Sequence, residues 1–233
     1  MSPRIDDHAY VQAREVLSRA REWLGDPTKA RRHKTAAAWF DLLGFRKDLD
    51  LATRGGTASS TSIADLRVAG LHHAAIASMD EIHEIVQMND AVLIGVDIPD
   101  AGDSIALDGF HARVAHFFEL AVAIESQLGG CGVRGVIAAG ERLDMGAQFG
   151  FYPRYAPDKP PNLVSPRPVN MNTAFLKAYG VESSHMLPKV SCLYVEETLL
   201  SRDVARRPQL WRAGDVLEID SYGRYVEVRR QPA

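Results

Sequence analysis

Asp41 stands inside the apolar run Thr35 to Phe45 (TAAAWFDLLGF), where a lone carboxylate is expensive to bury and calls for hydrogen bonds, an arginine or a metal ion. On this residue alone two explanations stay open: a strand-end carboxylate bonded to the turn at Leu43-Gly44-Phe45, or a ligand. Asp90 follows Asn89 between two β-favouring runs, Glu81 to Met88 and Ala91 to Ile98, so it is expected at the tip of a tight hairpin. Asn-Asp also suits such a turn for backbone reasons. Adjacent antiparallel placement of the two strands would bring both carboxylates together, and two close anions repel unless divalent cations neutralise them. Hard oxygen ligands favour Mg²⁺ or Mn²⁺. A pair of such ions can grip triphosphate oxygens and stabilise a leaving pyrophosphate during in-line attack on phosphorus.

The elements that must position these residues follow from pattern. Residues 6 to 24 read as an amphipathic helix ended by Gly25-Asp26-Pro27, an N-terminal addition followed by the basic cluster Lys29 to Lys34. The apolar run from Thr35 is a buried strand, and a short helix after it stops at Arg54-Gly55-Gly56. Gly55 to Ser62 is a turn leading into a helix near Ile63 to Ala77. Beyond the hairpin, a helix covers about Asp108 to Leu128 and stops at Gly129-Gly130, and Cys131 to Ala139 is a strand. Gly150 to Pro168 carries six of the twelve prolines and reads as a long loop. A helix at Asn172 to Tyr179, a strand at Lys189 to Glu196 and a hairpin around Ser221-Tyr222-Gly223 complete the chain. The class is α+β, with helices packed on one face of a ferredoxin-like or palm-type antiparallel sheet. Domain boundaries are set at 1–34 for the N-terminal helix and basic linker, and 35–233 for the catalytic domain.

Composition bounds the function class. The 233 residues are 46% hydrophobic and 24% charged with a net charge of -3, ordinary values for a globular chain without a nucleic-acid footprint. No apolar stretch approaches the ~20 residues of a membrane span, and no signal-peptide core is seen. The two cysteines, Cys131 and Cys192, each sit in an apolar run and read as buried thiols of a reducing compartment. A cytoplasmic protein with no membrane or nucleic-acid partner is expected.

Phe40-Asp41-Leu42-Leu43-Gly44-Phe45 resembles the F-D-I-x-G-F signature on the first strand of class III nucleotidyl cyclases, and Met88-Asn89-Asp90-Ala91-Val92-Leu93-Ile94 resembles their second-aspartate hairpin. Val133 to Glu141 (VRGVIAAGE) is similar to the later R-G-x-I-x-x-G-E strand of a bacterial branch. Asn172-Thr173-Ala174, Ala178 to Glu182 and Pro188-Lys189-Val190 resemble that branch's helix and following strand. Within it the chain looks most like the short pyrimidine cyclases of bacterial antiphage (Pycsar) systems.

The resemblance implies a class III cyclase catalytic domain that converts UTP, alternatively CTP or a purine triphosphate, to its 3′,5′-cyclic monophosphate, or a silent nucleotide-binding module of the same fold. It implies a homodimer with its sites at the interface and a separate effector that reads the product. Asp41 and Asp90 would hold two divalent cations, Mn²⁺ or Mg²⁺, with the Leu42 carbonyl adding a ligand, and amides near Leu43, Gly44 and Phe45 would hold the terminal phosphates. Asn172, or Asn170, would steady the transition state. Leu176-Lys177 stands where arginine is expected, so Arg134 or Lys177 would supply the cation, with a structural ion pair an equal reading for Arg134. Adenylate cyclases carry a lysine before the second aspartate; Val86, Gln87 and Met88 occupy that approach here, which disfavours adenine.

Other features carry less. His72, His73 and His83 lack companions at zinc-site spacing and read as surface or packing residues. Gly129-Gly130-Cys131-Gly132 lacks the Gly-Lys-Ser/Thr of a phosphate loop and reads as a helix stop, and Cys131 as a small core residue.

Overall fold

Residues Ala36 to Phe40 are all buried, because the strand that carries them is covered on both faces. This is why it reads as a nearly continuous apolar run instead of an alternating one. The computed structural model describes residues 7–26, 31–54, 62–98, 104–144, 171–188, 190–203 and 211–230. The proline-rich segment 150–168 and most of the Gly/Ser/Thr stretch, 55–61, lie outside these residues. The chain divides into two units, Met1–His33 with Arg142–Met171, and Lys34–Glu141 with Asn172–Ala233.

The first unit contains helix α1, Asp7–Gly25. The second unit is built on the sheet. Strand β1 spans Arg31–Leu42, helix α2 Phe45–Arg54 and helix α3 Ile63–Ser78. The hairpin is β2 (Glu84–Met88) and β3 (Ala91–Ile98), followed by α4 (Ser104–Leu128) and β4 (Val133–Asp144). A two-residue β5 (Met171–Asn172), α5 (Thr173–Ser183), β6 (Cys192–Glu196), α6 (Glu197–Asp203), β7 (Trp211–Ile219) and β8 (Gly223–Arg230) complete it. Seven strands lie in the order β2-β3-β1-β4-β6-β8-β7, with β5 beside β4. No helix among the described residues is long and apolar enough to cross a membrane.

Four details depart from the pattern reading. β1 starts at Arg31, inside the basic cluster, and its antiparallel ladder with β3 runs back to Lys34↔Ile98. The β4–β6 pair is parallel, as a crossover through a helix permits. Helix α6 directly follows β6 without a breaker between them. Helices also cover both faces of the sheet, not one. Ala36, Ala38, Phe40, Val92 and Ile94 pack against Leu71 and Ala75 of α3 and Phe110, Val114 and Phe117 of α4. Ala37, Trp39, Leu93, Val136 and Ala138 pack against Ala174, Ala178 and Val181 of α5. Trp39 meets the ring of Phe175 at 5.5 Å and that of Tyr179 at 5.2 Å.

The start of α3 is fixed by a capping box: the Ser62 hydroxyl accepts from the Asp65 amide at 3.1 Å, and the Asp65 carboxylate accepts from the Ser62 amide at 3.0 Å. On the α3/α4 side, Phe40 is wholly buried and meets Phe117 edge to face at 4.7 Å. Replacing Phe40 with Ala is expected to lower the unfolding free energy by about 3–5 kcal/mol, read by urea denaturation. A loss below about 1 kcal/mol would mean the site collapses around the deletion.

Candidate active site

The end of β1 and the tip of the β2–β3 hairpin meet. Asp41 lies opposite Ala91 in the ladder, which brings Asp90 alongside, and the Leu42 amide donates to the Asp90 carbonyl at 3.0 Å. Asn89 turns the hairpin with φ 30°, a left-handed backbone that asparagine tolerates better than most residues. Asp41 is half-buried on the α5 side of the sheet, in alternation with Ala37 and Trp39. Burial pushes its carboxyl up to about 7, the negative charges of Glu182 and Asp90 push the same way, and Arg134 opposes them. Two carboxylates and one guanidinium therefore act on Asp41.

That excess of negative charge suits a divalent cation. Among the described residues no group of three or more His, Cys, Asp or Glu side chains is placed to hold a metal alone. Magnesium-like ions commonly take one or two carboxylates and complete their shell with water and phosphate oxygens, so the Asp41–Asp90 pair fits such an ion when substrate supplies the rest.

Beside the pair lies the β1–α2 turn. The Leu43 amide donates to the Gly132 carbonyl at 2.9 Å, so this N–H is engaged within the protein. The Leu43 carbonyl accepts from Arg67 Nη2 at 2.8 Å. Gly44 follows at φ +71°, and a Cβ there would come within 2.7 Å of Cys131 Sγ; glycine is needed for both reasons. Phe45 opens α2, whose first amides have no partner within the helix. The amides left to meet an anion are those of Gly44, Phe45 and Arg46, since the Lys47 amide already donates to the Gly44 carbonyl at 3.1 Å.

The remaining sequence-selected residues divide. Arg134, on β4, is buried and paired with Glu182 of α5, its Nε donating at 3.1 Å and its Nη1 reaching the Pro188 carbonyl at 3.4 Å. Asn172 caps α5, its side-chain oxygen accepting from the Phe175 amide at 3.1 Å. Lys177, one turn and a half along the same helix, donates to Glu196 at 3.2 Å. Glu196 also accepts from the Ala139 amide at 2.9 Å and the Thr198 hydroxyl at 3.2 Å. Arg134 thus lies close enough to Asp41 to act on its charge, while Lys177 is held by Glu196. Leu176 is exposed.

Pattern reading passed over Glu182, although a carboxylate next to Val181 on the apolar side of α5 was a signal. Arg67 and Glu125 were also passed over. Each occupies a core position in an amphipathic helix, Arg67 four residues before Leu71 and Glu125 four after Ala121, and both are buried. Cys131 is exposed, not a core residue, because β4 begins only at Val133 and the loop before it surfaces. Cys192 is buried, and burial pushes its thiol up to about 11. His83 is buried, pairs with Asp80 and stacks on Phe110, a packing role, and the exposed His73 bonds the Ala69 carbonyl of its own helix at 2.8 Å, a surface one.

No family model and no curated protein matches the sequence. Solved structures do. The adenylyl cyclase CyaB from P. aeruginosa superposes with a TM-score of 0.57 at 13% identity, covering 87% of this chain and 97% of that one. The guanylate cyclase domain of RhGC from Catenaria anguillulae, in complex with GTP, gives 0.56 at 13% identity, covering 87% and 100%. The catalytic core of a rhodopsin-guanylyl cyclase with converted specificity, in complex with ATPalphaS, gives 0.53 at 14% identity, covering 88% and 100%. The fold is that of nucleotide cyclase catalytic domains.

Proposed function

We propose that this chain is a nucleotide cyclase, with residues 35–233 as its catalytic domain, that converts a pyrimidine triphosphate, UTP before CTP, to its 3′,5′-cyclic monophosphate and pyrophosphate. The pairing of Asp41 with Asp90 at the meeting of β1 and the hairpin tip, on a fold shared with adenylyl and guanylyl cyclases, carries this assignment. Two divalent cations, Mn²⁺ or Mg²⁺, supply when bound the acidification of the ribose 3′-hydroxyl and the neutralisation of triphosphate charge. Asp41, Asp90 and the Leu42 carbonyl would hold them.

The chain's own residues do the rest. The amides of Gly44 and of the α2 N-terminus receive terminal phosphates, aided by the helix dipole, and Leu43 shapes that turn. Both candidate cations are paired, Arg134 with Glu182 and the Pro188 carbonyl and Lys177 with Glu196; Lys177, the more exposed of the two, suits the developing charge better. Asn172 fixes the start of the helix that carries Lys177. The approach along β2, with Val86, Gln87 and Met88 in place of a lysine, supports a base other than adenine.

By the resemblance to the antiphage pyrimidine cyclases, the working form is a cytoplasmic homodimer whose sites combine elements of both copies, and a separate effector reads the product. A silent nucleotide-binding module is the second reading, favoured by the engaged Arg134 and by Leu176 in the arginine position. Incubation of the purified protein with Mn²⁺ and each of the four nucleoside triphosphates, with mass identification of products, decides between them. Cyclic UMP is the expected product. Tight nucleotide binding with no cyclic product would establish the silent module.

A further inference from the structure

We infer that Arg67 is the positioning residue that aims the anion-binding turn between β1 and α2, an inference that rests on the triphosphate role given to that turn above. Arg67 is completely buried in α3, a costly place for a guanidinium unless every donor is used. Its Nε donates to both Glu125 oxygens at 2.8 and 3.0 Å, and its Nη2 to the Leu43 carbonyl at 2.8 Å and again to Glu125. Its Nη1 pairs with Asp48, in the first turn of α2. One side chain therefore ties α3 and α4 to both ends of the turn.

The same network reaches the other side of Leu43. Glu125 Oε2 accepts from the Gly132 amide at 3.2 Å, its backbone carbonyl accepts from the Gly130 amide at 2.8 Å, and the Gly132 carbonyl takes the Leu43 amide at 2.9 Å. Gly130 must be glycine for this, since a Cβ there would collide with the Glu125 carboxylate and come within 2.8 Å of Arg67 Nε. Both polar groups of Leu43 are thus held from within. A trans peptide carries its C=O and the next N–H in opposite directions, and no cis bond occurs among the described residues. Drawing the Leu43 carbonyl inward onto Arg67 turns the Gly44 N–H outward, on an exposed residue at the mouth of α2. Asp48 then sets where the first turn of α2 begins.

Lysine keeps the charge but cannot serve Leu43, Glu125 and Asp48 from one fork. The test is Arg67→Lys, read by amide hydrogen exchange and by calorimetric binding of inorganic triphosphate with Mn²⁺ and of UMP. Faster exchange confined to residues 43–47 is expected, with about tenfold weaker triphosphate binding, the weight of one charge-assisted hydrogen bond. UMP, which lacks the terminal phosphates, should bind within about twofold of wild type, and KM for the cyclised triphosphate should rise about tenfold while kcat changes less than about threefold. Where Arg67→Lys does not fold, Arg67→Met with Glu125→Leu restores packing without the ion pair, and the same selective loss is expected. A folded variant with unchanged triphosphate binding, or with equal losses for triphosphate and UMP, overturns the inference. Wild-type protein that binds triphosphate in an Arg67-dependent way yet forms no cyclic product sinks the cyclase assignment and supports the positioning role. Wild-type protein that binds no triphosphate overturns both.

Discussion

Asp41→Ala and Asp90→Ala are each expected to lower cyclic nucleotide formation by at least about 10³-fold, on the scale of losing a central electrostatic contact to a reacting phosphate, with the chain still folded. Asp41 is half-buried with Glu182 and Asp90 both raising the cost of its charge, so its removal relieves repulsion instead of breaking a favourable pair. Asp41→Asn, which keeps the shape and discards the charge, is expected to equal or exceed wild type in thermal stability at pH 8 without added metal. Lost activity with undiminished stability is the signature of a group kept for chemistry. A structural strand-end aspartate would do the opposite: its substitution would cost stability and leave turnover in proportion to folded protein.

The proposed homodimer would give that result a second arm. If Asp41 of one copy works with Lys177 of the other, neither Asp41→Ala nor Lys177→Ala alone makes product. Mixed and re-equilibrated, the two variants form some dimers with one intact site, and activity returns to a fraction of wild type. No recovery on mixing, with subunit exchange verified, would place both residues in one copy's site or remove Lys177 from the mechanism.

What could be foreseen from sequence was what neighbouring residues decide among themselves. The hairpin at Asn89-Asp90 and the one at Ser221 to Gly223 appear where turn chemistry put them, as does the helix ending at Leu128 before Gly129. Asp41 was conspicuous because an apolar strand offers it few partners. What stayed hidden depends on pairs far apart in the chain: Arg134 with Glu182, Arg67 with Glu125, Lys177 with Glu196. Each is two charged residues on separate elements, and periodicity marks one as an exception without saying what meets it. The side taken by α5 was hidden for a related reason. Small residues such as Ala37, Ala138, Ala174 and Ala178 close that face, and alanine weakly distinguishes an inner from an outer surface. Cys131 was misplaced because it lies in the loop before β4, with Gly132 between it and the apolar run that starts at Val133.

The same crowding at Asp41 makes metal affinity and stability respond to pH in opposite senses. In the folded chain its carboxyl titrates at about 7, against an ordinary value of 3.8. Between those values the folded state keeps a proton that the unfolded state has lost. By linkage, stability without metal falls as pH rises from about 4 to about 7 and levels off above. The slope from this group is at most about 1.4 kcal/mol per pH unit, and solvent at the half-exposed site reduces it. A divalent cation needs the carboxylate free, so below pH 7 protons compete with it and its apparent affinity drops about tenfold per unit, or about a hundredfold from pH 7 to pH 5. Saturating Mn²⁺ should therefore cancel the trend, because the metal-bound folded state and the unfolded state both hold Asp41 unprotonated between pH 6 and pH 8, whereas with EDTA the protein is less stable at pH 8 than at pH 6. Thermal melts across this range with either addition, together with Mn²⁺ titration calorimetry, read both effects. Asp41→Asn should flatten both profiles. Wild-type and Asp41→Asn curves that run parallel would show that another group sets the pH response and that Asp41 is not the ligand whose proton the metal displaces.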